Sequence, residues 1–292
     1  MQESSPRDKR KKAIILTGIA GILWGTSFPA IKIGLNYVDP YMFVFLRFFL
    51  ASIVMFLVVL IKNGHGFKFE KSKAVWFLGI ANGIAYLLQY VGMNSTSASK
   101  SSLLVNLSAI WVAVLSSLIL KERLGTKRAM GILFGVLGVF LITTNLDFKT
   151  LGQGAIIGDS LVLLSGVVWA FFTVYNKQLV SNVRDILQPI TWILFVTLLP
   201  LIPSLYFSTS SPFQLPIDAW LAIAYTAVFC WVIPYYLWSE ALKSISAVSS
   251  TIILLTEVIV ALAISSITLH DTLTLISGIG AFSIIVAIIF VS

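Results

Sequence analysis

Runs of about 20 apolar residues follow one another along the whole chain, and charged residues collect in the short gaps between them. A run of that length is what an α-helix needs to cross the hydrocarbon core of a bilayer. Ten such runs can be read, at 13–35, 41–61, 74–93, 99–120, 129–144, 157–178, 187–207, 219–241, 248–268 and 275–291. Only 11% of the residues are charged, against roughly 25% in a soluble domain. The expected fold class is therefore an all-α membrane protein with ten transmembrane helices. The net charge of +8 would suit a nucleic-acid binder if the cations formed one surface. They fall instead in clusters between apolar runs, so no nucleic-acid partner is expected, and the lipid bilayer is. The single cysteine, Cys230, excludes an intrachain disulfide and a Cys-rich metal site. Residues 13–35 are too long for the core of a signal peptide and continue into further runs, so they read as the first span, behind a basic tail at 1–12.

The distribution of Lys and Arg sets the orientation. With the N-terminus inside, the inner segments hold Arg7 to Lys12, the cluster Lys62, Lys68, Lys71 and Lys73, the cluster Lys121, Arg123, Lys127 and Arg128, and then Lys177, Arg184 and Lys243. The outer side receives Lys100 and Lys149, while Lys32 and Arg47 lie within spans. This asymmetry predicts cytoplasmic termini in a cell membrane. Spans 1–5 then start inside and spans 6–10 outside, which makes the halves inverted relative to each other. They also read as copies. The stretch Leu118–Gly131, LILKERLGTKRAMG, is echoed by Ile267–Gly280, ITLHDTLTLISGIG, with Glu122 over Asp271 and Gly131 over Gly280, but without its basic residues. The same 149-residue offset places Tyr86 and Leu88 over Tyr235 and Leu237, and Ser95, Ser97 and Ala98 over Ser244, Ser246 and Ala247. An offset of 145 places Gly21, Trp24 and Lys32 over Gly166, Trp169 and Lys177. Two repeats are expected, at 13–144 and 155–292, with any substrate site near the midplane between them.

Trp24-Gly25-Thr26-Ser27-Phe28, Pro40 with Arg47, Ser95-Thr96-Ser97-Ala98, the Lys121-Glu122-Arg123-Leu124 hairpin, and Gly131 with Gly135 together resemble the EamA-like branch of the drug/metabolite transporter superfamily. The likeness covers nearly the whole chain. The proline usual in span 4 of such proteins is Ala109 here, and the matching position in span 9 is Val258. The resemblance implies an alternating-access carrier, often an exporter of amino acids or other small metabolites.

Several residues could carry that chemistry. Asn82, Tyr86 and Gln89 share one helical face of span 3, and their repeat positions Trp231, Tyr235 and Trp238 share a face of span 8. Polar groups turned to lipid would lack partners, so the two faces are expected to line opposite walls of one cavity, or else to bond between helices. Trp24 and Trp169 lie mid-span, away from the interfacial belt that suits Trp76 and Trp220; they are read as cavity lining or helix packing. Asn106 is preferred over Trp111 in span 4. Glu257, about halfway along span 9, is read as a proton-coupling site, a ligand for a substrate amine, or a static partner of Lys32 or Arg47. Arg47 lies about two turns from the outer surface, and Lys32 and Lys177 near span ends within snorkelling reach. Glycines 131, 135 and 138 with 278 and 280 suggest that spans 5 and 10 form a packing scaffold or a dimer surface, so monomer and homodimer both stay open. Pro200, Pro203 and Pro234 are candidate kinks.

No HExxH, G-x-S-x-G or phosphate-binding G-x-x-x-x-G-K-[ST] motif occurs, and His65 and His270 lie between spans. Neither an enzyme nor a cofactor or metal site is expected. The expected partner is a small-molecule substrate. Three functions compete: a secondary carrier of small metabolites such as amino acids, a proton-coupled exporter of amphipathic or cationic compounds, and a non-transporting membrane scaffold or sensor.

Overall fold

The computed structural model describes residues 5–63, 67–68, 70–96, 98–149, 156–268 and 273–292. Ser97, His65, His270 and Asp271, and the side chains of Lys32 and Lys100, which figure in the sequence reading, lie outside what it describes. Among the described residues the helices form ten rods and there is no strand. The first rod is α1 (Pro6–Gly25) followed by α2 (Ser27–Leu35). Then come α3 (Pro40–Asn63), α4 (Lys73–Ser95), α5 (Ala98–Asn106) continued by α6 (Ser108–Ile119), and α7 (Thr126–Thr144). The second half holds α8 (Ile156–Ser181) and α9 (Leu187–Ser204). Its eighth rod is α10 (Ile217–Ala227), a π turn at Val228–Val232, and α11 (Ile233–Leu242). The ninth is α12 (Ala247–Leu254) with α13 (Thr256–Thr268), and the tenth is α14 (Leu275–Val291). Eight of the rods are long and apolar enough to cross a membrane. The first carries the charges of the basic tail in α1, and α14 is an apolar helix of 17 residues.

Three rods break in mid-course, at Thr26 just after Gly25, and at Leu107 and Leu255 with neither glycine nor proline at the break. Each break sits beside a side chain that donates to a carbonyl one turn back, where it competes with the helical amide. Thr26 Oγ1 donates to the Leu23 carbonyl at 2.7 Å and Ser27 Oγ to Trp24 at 2.6 Å. Asn106 Nδ2 donates to Ser102 at 2.9 Å, and Thr256 Oγ1 to Ile253 at 2.6 Å. The missing span-4 proline is therefore not needed for the break at Leu107, and the break at Leu255 lies at nearly the same place in the second repeat.

The packing has the symmetry expected of two related halves. The fourth helix α4 packs on α8, and its repeat mate α11 packs on α1; α4 packs on α9 as α10 does near α3; α5 and α6 pack on α8 as α12 and α13 pack on α1. The glycines follow suit. A Cβ on Gly21 would sit 3.3 Å from the Leu254 carbonyl, and one on Gly166 would sit 3.2 Å from the Leu104 and Val105 carbonyls. These are the same contact in the two repeats, between the first rod of one half and the broken rod of the other. Between α7 and α14, Gly138 and Gly280 bring backbones together, so that a Cβ on either would fall within 2.8 Å of the other's carbonyl oxygen. Gly131 and Gly135 likewise face neighbours within the chain, at Val291 and Leu255, while a Cβ on Gly278 would meet nothing within 4 Å.

Polar ties join the halves at each end. Asp39 caps α3, accepting from the Tyr41 and Met42 amides at 2.9 and 3.1 Å. Its other oxygen accepts from Ser208 Oγ and the Thr209 and Ser210 amides at 2.7, 3.1 and 2.8 Å. Burial raises the Asp39 pKa, but the hydrogen bonds from Ser208, Met42 and Ser210 outweigh it and hold the carboxyl below its ordinary value. At the end bearing the basic hairpin, Glu122 Oε1 accepts from the Ala247 amide at 3.3 Å, at the start of α12.

Candidate transport cavity

A cavity of about 150 Å³ lies between the halves, and all ten residues singled out in the sequence line it. Asn82, Tyr86 and Gln89 reach it from α4; Trp231, Tyr235 and Trp238 from the π turn and α11; Trp24 and Trp169 from α1 and α8; Asn106 from the end of α5; and Glu257 from the first turn of α13. Trp111 is 41% exposed on the outside of the bundle.

Aromatic rings form a nearly continuous wall. Tyr86 meets the edge of Trp169 at 4.9 Å, Trp169 meets Phe172 at 5.4 Å, and Phe172 contacts Tyr235 at 5.7 Å. Trp231 lies 4.4 Å from Tyr235, and Trp238 packs edge-on to Trp24 at 5.7 Å. Cavity lining and helix packing, set against each other for the tryptophans, are both realised. Many polar tips are held from behind. Trp169 Nε1 donates to Gln89 at 3.2 Å, Tyr235 Oη to Asn176 at 3.0 Å, Trp238 Nε1 to Ser250 at 2.7 Å, and Asn82 Nδ2 to Thr197 at 3.1 Å. Trp24 Nε1 and Asn82 Oδ1 are buried with no partner among the described residues.

Arg47 lies deeper than the sequence suggested. It is 2% exposed and does not snorkel. Its guanidinium donates to Tyr90 Oη at 2.7 Å and to the Cys230 carbonyl at 3.1 Å, and sits 4.9 Å from the Tyr86 ring centre. The backbone explains that carbonyl. Pro234 lacks the amide that would reach back four residues to Cys230, and the chain winds as a π turn there instead. Arg47 fills the vacancy a proline left, and its Nε stays buried with no partner among the described residues.

Glu257 also lines the cavity, yet no ion pair within 4.0 Å joins it to Arg47. The static Glu257–Arg47 pair considered from sequence is absent; Arg47 donates instead to a phenol and a carbonyl. The break at Leu255 puts Glu257 at the start of a helix, where the backbone dipole favours a negative charge in mid-rod. Lys177, expected to snorkel, is half-buried and donates to the Leu242 carbonyl.

Sequence reasoning missed Ser27, Tyr90, Ser108 and Thr173 as cavity residues. Ser108 was within reach of it, because the 149-residue offset places Ser108 over Glu257.

A family model described as the EamA-like transporter family matches this chain twice, over residues 11–144 and 156–292. The chain belongs to the EamA-like transporter family. The two matches are the two halves whose contacts mirror each other, and membership makes the chain an integral membrane transporter. It is 30% identical over 286 residues to the uncharacterized transporter YyaM of Bacillus subtilis, covering 96% of this chain and 92% of that one. An uncharacterized transporter of Archaeoglobus fulgidus is 28% identical over 247 residues, 82% of each. A crystal structure sharing 16% identity superimposes with a TM-score of 0.79 over 96% of both chains, which supports the fold. Among EamA-like transporters, then, this one has its uncharged polar and aromatic side chains gathered at the interface of the repeats, with one acid and one guanidinium on the same cavity.

Proposed function

We propose that this EamA-like transporter is a secondary, alternating-access carrier that exports small organic metabolites bearing an amine, amino acids foremost, across the cell membrane, with both termini cytoplasmic. The observation that carries the reading is the cavity between the repeats, where Glu257 and Arg47 both face in and do not neutralise each other. A ligand with an ammonium group suits Glu257 and the aromatic wall, since cations are drawn to ring faces. A carboxylate on the same ligand suits the Arg47 side. At about 150 Å³ the cavity is smaller than the roughly 300–1,000 Å³ of sites for drug-sized compounds, which favours small metabolites. The two-fold arrangement of the halves suits rocking about a fixed midplane site.

A second reading, a proton-coupled exporter of amphipathic cations, is favoured by the same Glu257, an acid in mid-rod with no hydrogen bond or ion pair among the described residues. Flux of labelled amino acids and organic cations in proteoliposomes, with and without a pH gradient, separates the two. Amino-acid flux that Tyr86→Ala and Tyr235→Ala abolish supports the first reading. Cation flux driven only by a proton gradient supports the second. No flux of either class contradicts both and favours a scaffold.

A further inference from the structure

A second and larger cavity, about 850 Å³, opens at the end of the bundle that carries the Leu118–Gly131 hairpin. Six cations line it: Arg10 from α1, Arg123 from the hairpin, Lys127 and Arg128 from the start of α7, Lys177 from α8, and Lys243 after α11. Lys243 pairs with Glu240 at 2.9 Å. Among the described residues the other five have no carboxylate within 4.0 Å. Three of them are held in place by backbone carbonyls: Arg10 by Val291 at 3.1 Å, Arg128 by Arg123 at 2.9 Å, and Lys177 by Leu242. A carbonyl fixes the side chain's position without cancelling its charge. The one acid lining the basin, Glu122, accepts from the Ala247 amide through Oε1 and acts electrostatically on Lys177, so a single negative charge is set against six cations. The first turn of α7 also opens into the basin at Gly125, Thr126 and Lys127, adding the positive end of a 19-residue helix. The rim includes Phe290 and Val291, in the last turn of the apolar helix α14.

Loops of a membrane protein carry cations simply to fix its topology. Lys62, Lys68 and Lys71 meet that need without lining this basin. What distinguishes the basin is convergence. Cations from four separated parts of the chain, belonging to both repeats, are directed into one concavity with an apolar rim. We propose that this basin binds a phosphate-bearing anion, supplied by the headgroup of an anionic phospholipid whose acyl chains lie against the Phe290 rim. Because Arg123, Lys127 and Arg128 come from the first repeat, Arg10 from the tail that leads into it, and Lys177 and Lys243 from the second repeat, the anion bridges the repeats at this end. It thereby favours the arrangement in which this end is closed.

The test uses the full chain in nanodiscs of phosphatidylcholine containing graded phosphatidylglycerol, with bound lipid counted by native mass spectrometry. Phosphatidylglycerol should be retained in preference to phosphatidylcholine. Lys127→Gln should weaken that preference about fivefold, and Arg123→Gln/Lys127→Gln/Arg128→Gln by further similar factors, as expected for roughly one unit of surface attraction per cation. Lys62→Gln/Lys68→Gln/Lys71→Gln should leave the preference unchanged. The Lys127 side chain is exposed and makes no hydrogen bond among the described residues, so that single variant reads the site with little effect on the fold. A parallel arm measures thermal stabilisation by inorganic pyrophosphate in pure phosphatidylcholine. Stabilisation there, lost in Lys127→Gln and without any phosphatidylglycerol preference, would keep the anion site but overturn its lipid source. No preference in either arm, or an equal loss in the Lys62/Lys68/Lys71 control, would overturn the proposal.

Discussion

Replacing Arg47 with methionine separates stability from function more sharply than any other single change. The guanidinium makes two hydrogen bonds, to Tyr90 and to the Cys230 carbonyl. Side-chain hydrogen bonds within membrane proteins average about 0.6 kcal/mol and reach about 1.7, so their loss costs roughly 1–3 kcal/mol. The Cys230 carbonyl, which Pro234 cannot serve, is then left bare at a further cost of about 1–3 kcal/mol. Against this, an arginine in mid-membrane is unfavourable by about 2.5–3.5 kcal/mol on insertion scales, and methionine of similar length keeps the packing against Phe48 and Tyr86. The contributions nearly cancel. Arg47→Met should therefore fold and insert normally, with a melting temperature in detergent within about 5 °C of the parent. Flux of any substrate carrying a carboxylate should fall at least tenfold, while cations lacking one are affected much less. Pro234→Ala offers an independent handle, because it returns an amide to the Cys230 carbonyl and weakens the anchoring of Arg47. Failure of Arg47→Met to reach the membrane folded would show that Arg47 is structural; unchanged carboxylate flux in a folded variant would remove it from the cavity chemistry.

Three further outcomes follow from the geometry. Asp39→Asn should loosen the tie between α3 and residues 208–210 and lower the melting temperature. Because the folded pKa of Asp39 lies below its ordinary value of 3.8, its contribution should be present above about pH 4 and fade as pH falls through the folded value, so parent and variant melting curves should converge in acid; a gap that widens in acid would contradict the sign. Gly138→Val should destabilise by about 1–3 kcal/mol, since its Cβ alone would lie 2.6 Å from the Gly280 carbonyl oxygen, whereas Gly278→Ala, with nothing within 4 Å, should be nearly neutral; equal melting temperatures would mean that α7 and α14 are not in contact. Glu257→Gln should retain folded protein and lose whatever pH dependence the flux shows, and a loss of folded protein instead would make Glu257 a structural residue.

Much of this architecture was legible because the bilayer is a severe filter. Apolar length located the rods, and a shared face of Asn82, Tyr86 and Gln89 had to turn away from lipid. Repeat offsets then carried that face onto Trp231, Tyr235 and Trp238. What stayed hidden depends on three-dimensional partners. The depth of Arg47 could not be read from its distance to a span end, because its acceptor is a carbonyl exposed by a proline 187 positions further along the chain. The breaks at Leu107 and Leu255 carry no glycine or proline; they arise from side chains of ordinary helical residues bonding backwards. The basin beneath the hairpin was likewise invisible, since its cations come from segments that look, one at a time, like ordinary topology signals.

The central claim is that the two repeats enter the membrane from opposite sides and enclose the cavity between them. Single cysteines at Lys127 and Leu273, both exposed and at matching ends of α7 and α14, introduced in a Cys230→Ser background and labelled in intact cells with a membrane-impermeant maleimide, test it directly. Labelling at Leu273 from outside, with Lys127 reached only after the membrane is opened, is the predicted result. Both positions labelled from the same side would contradict the account.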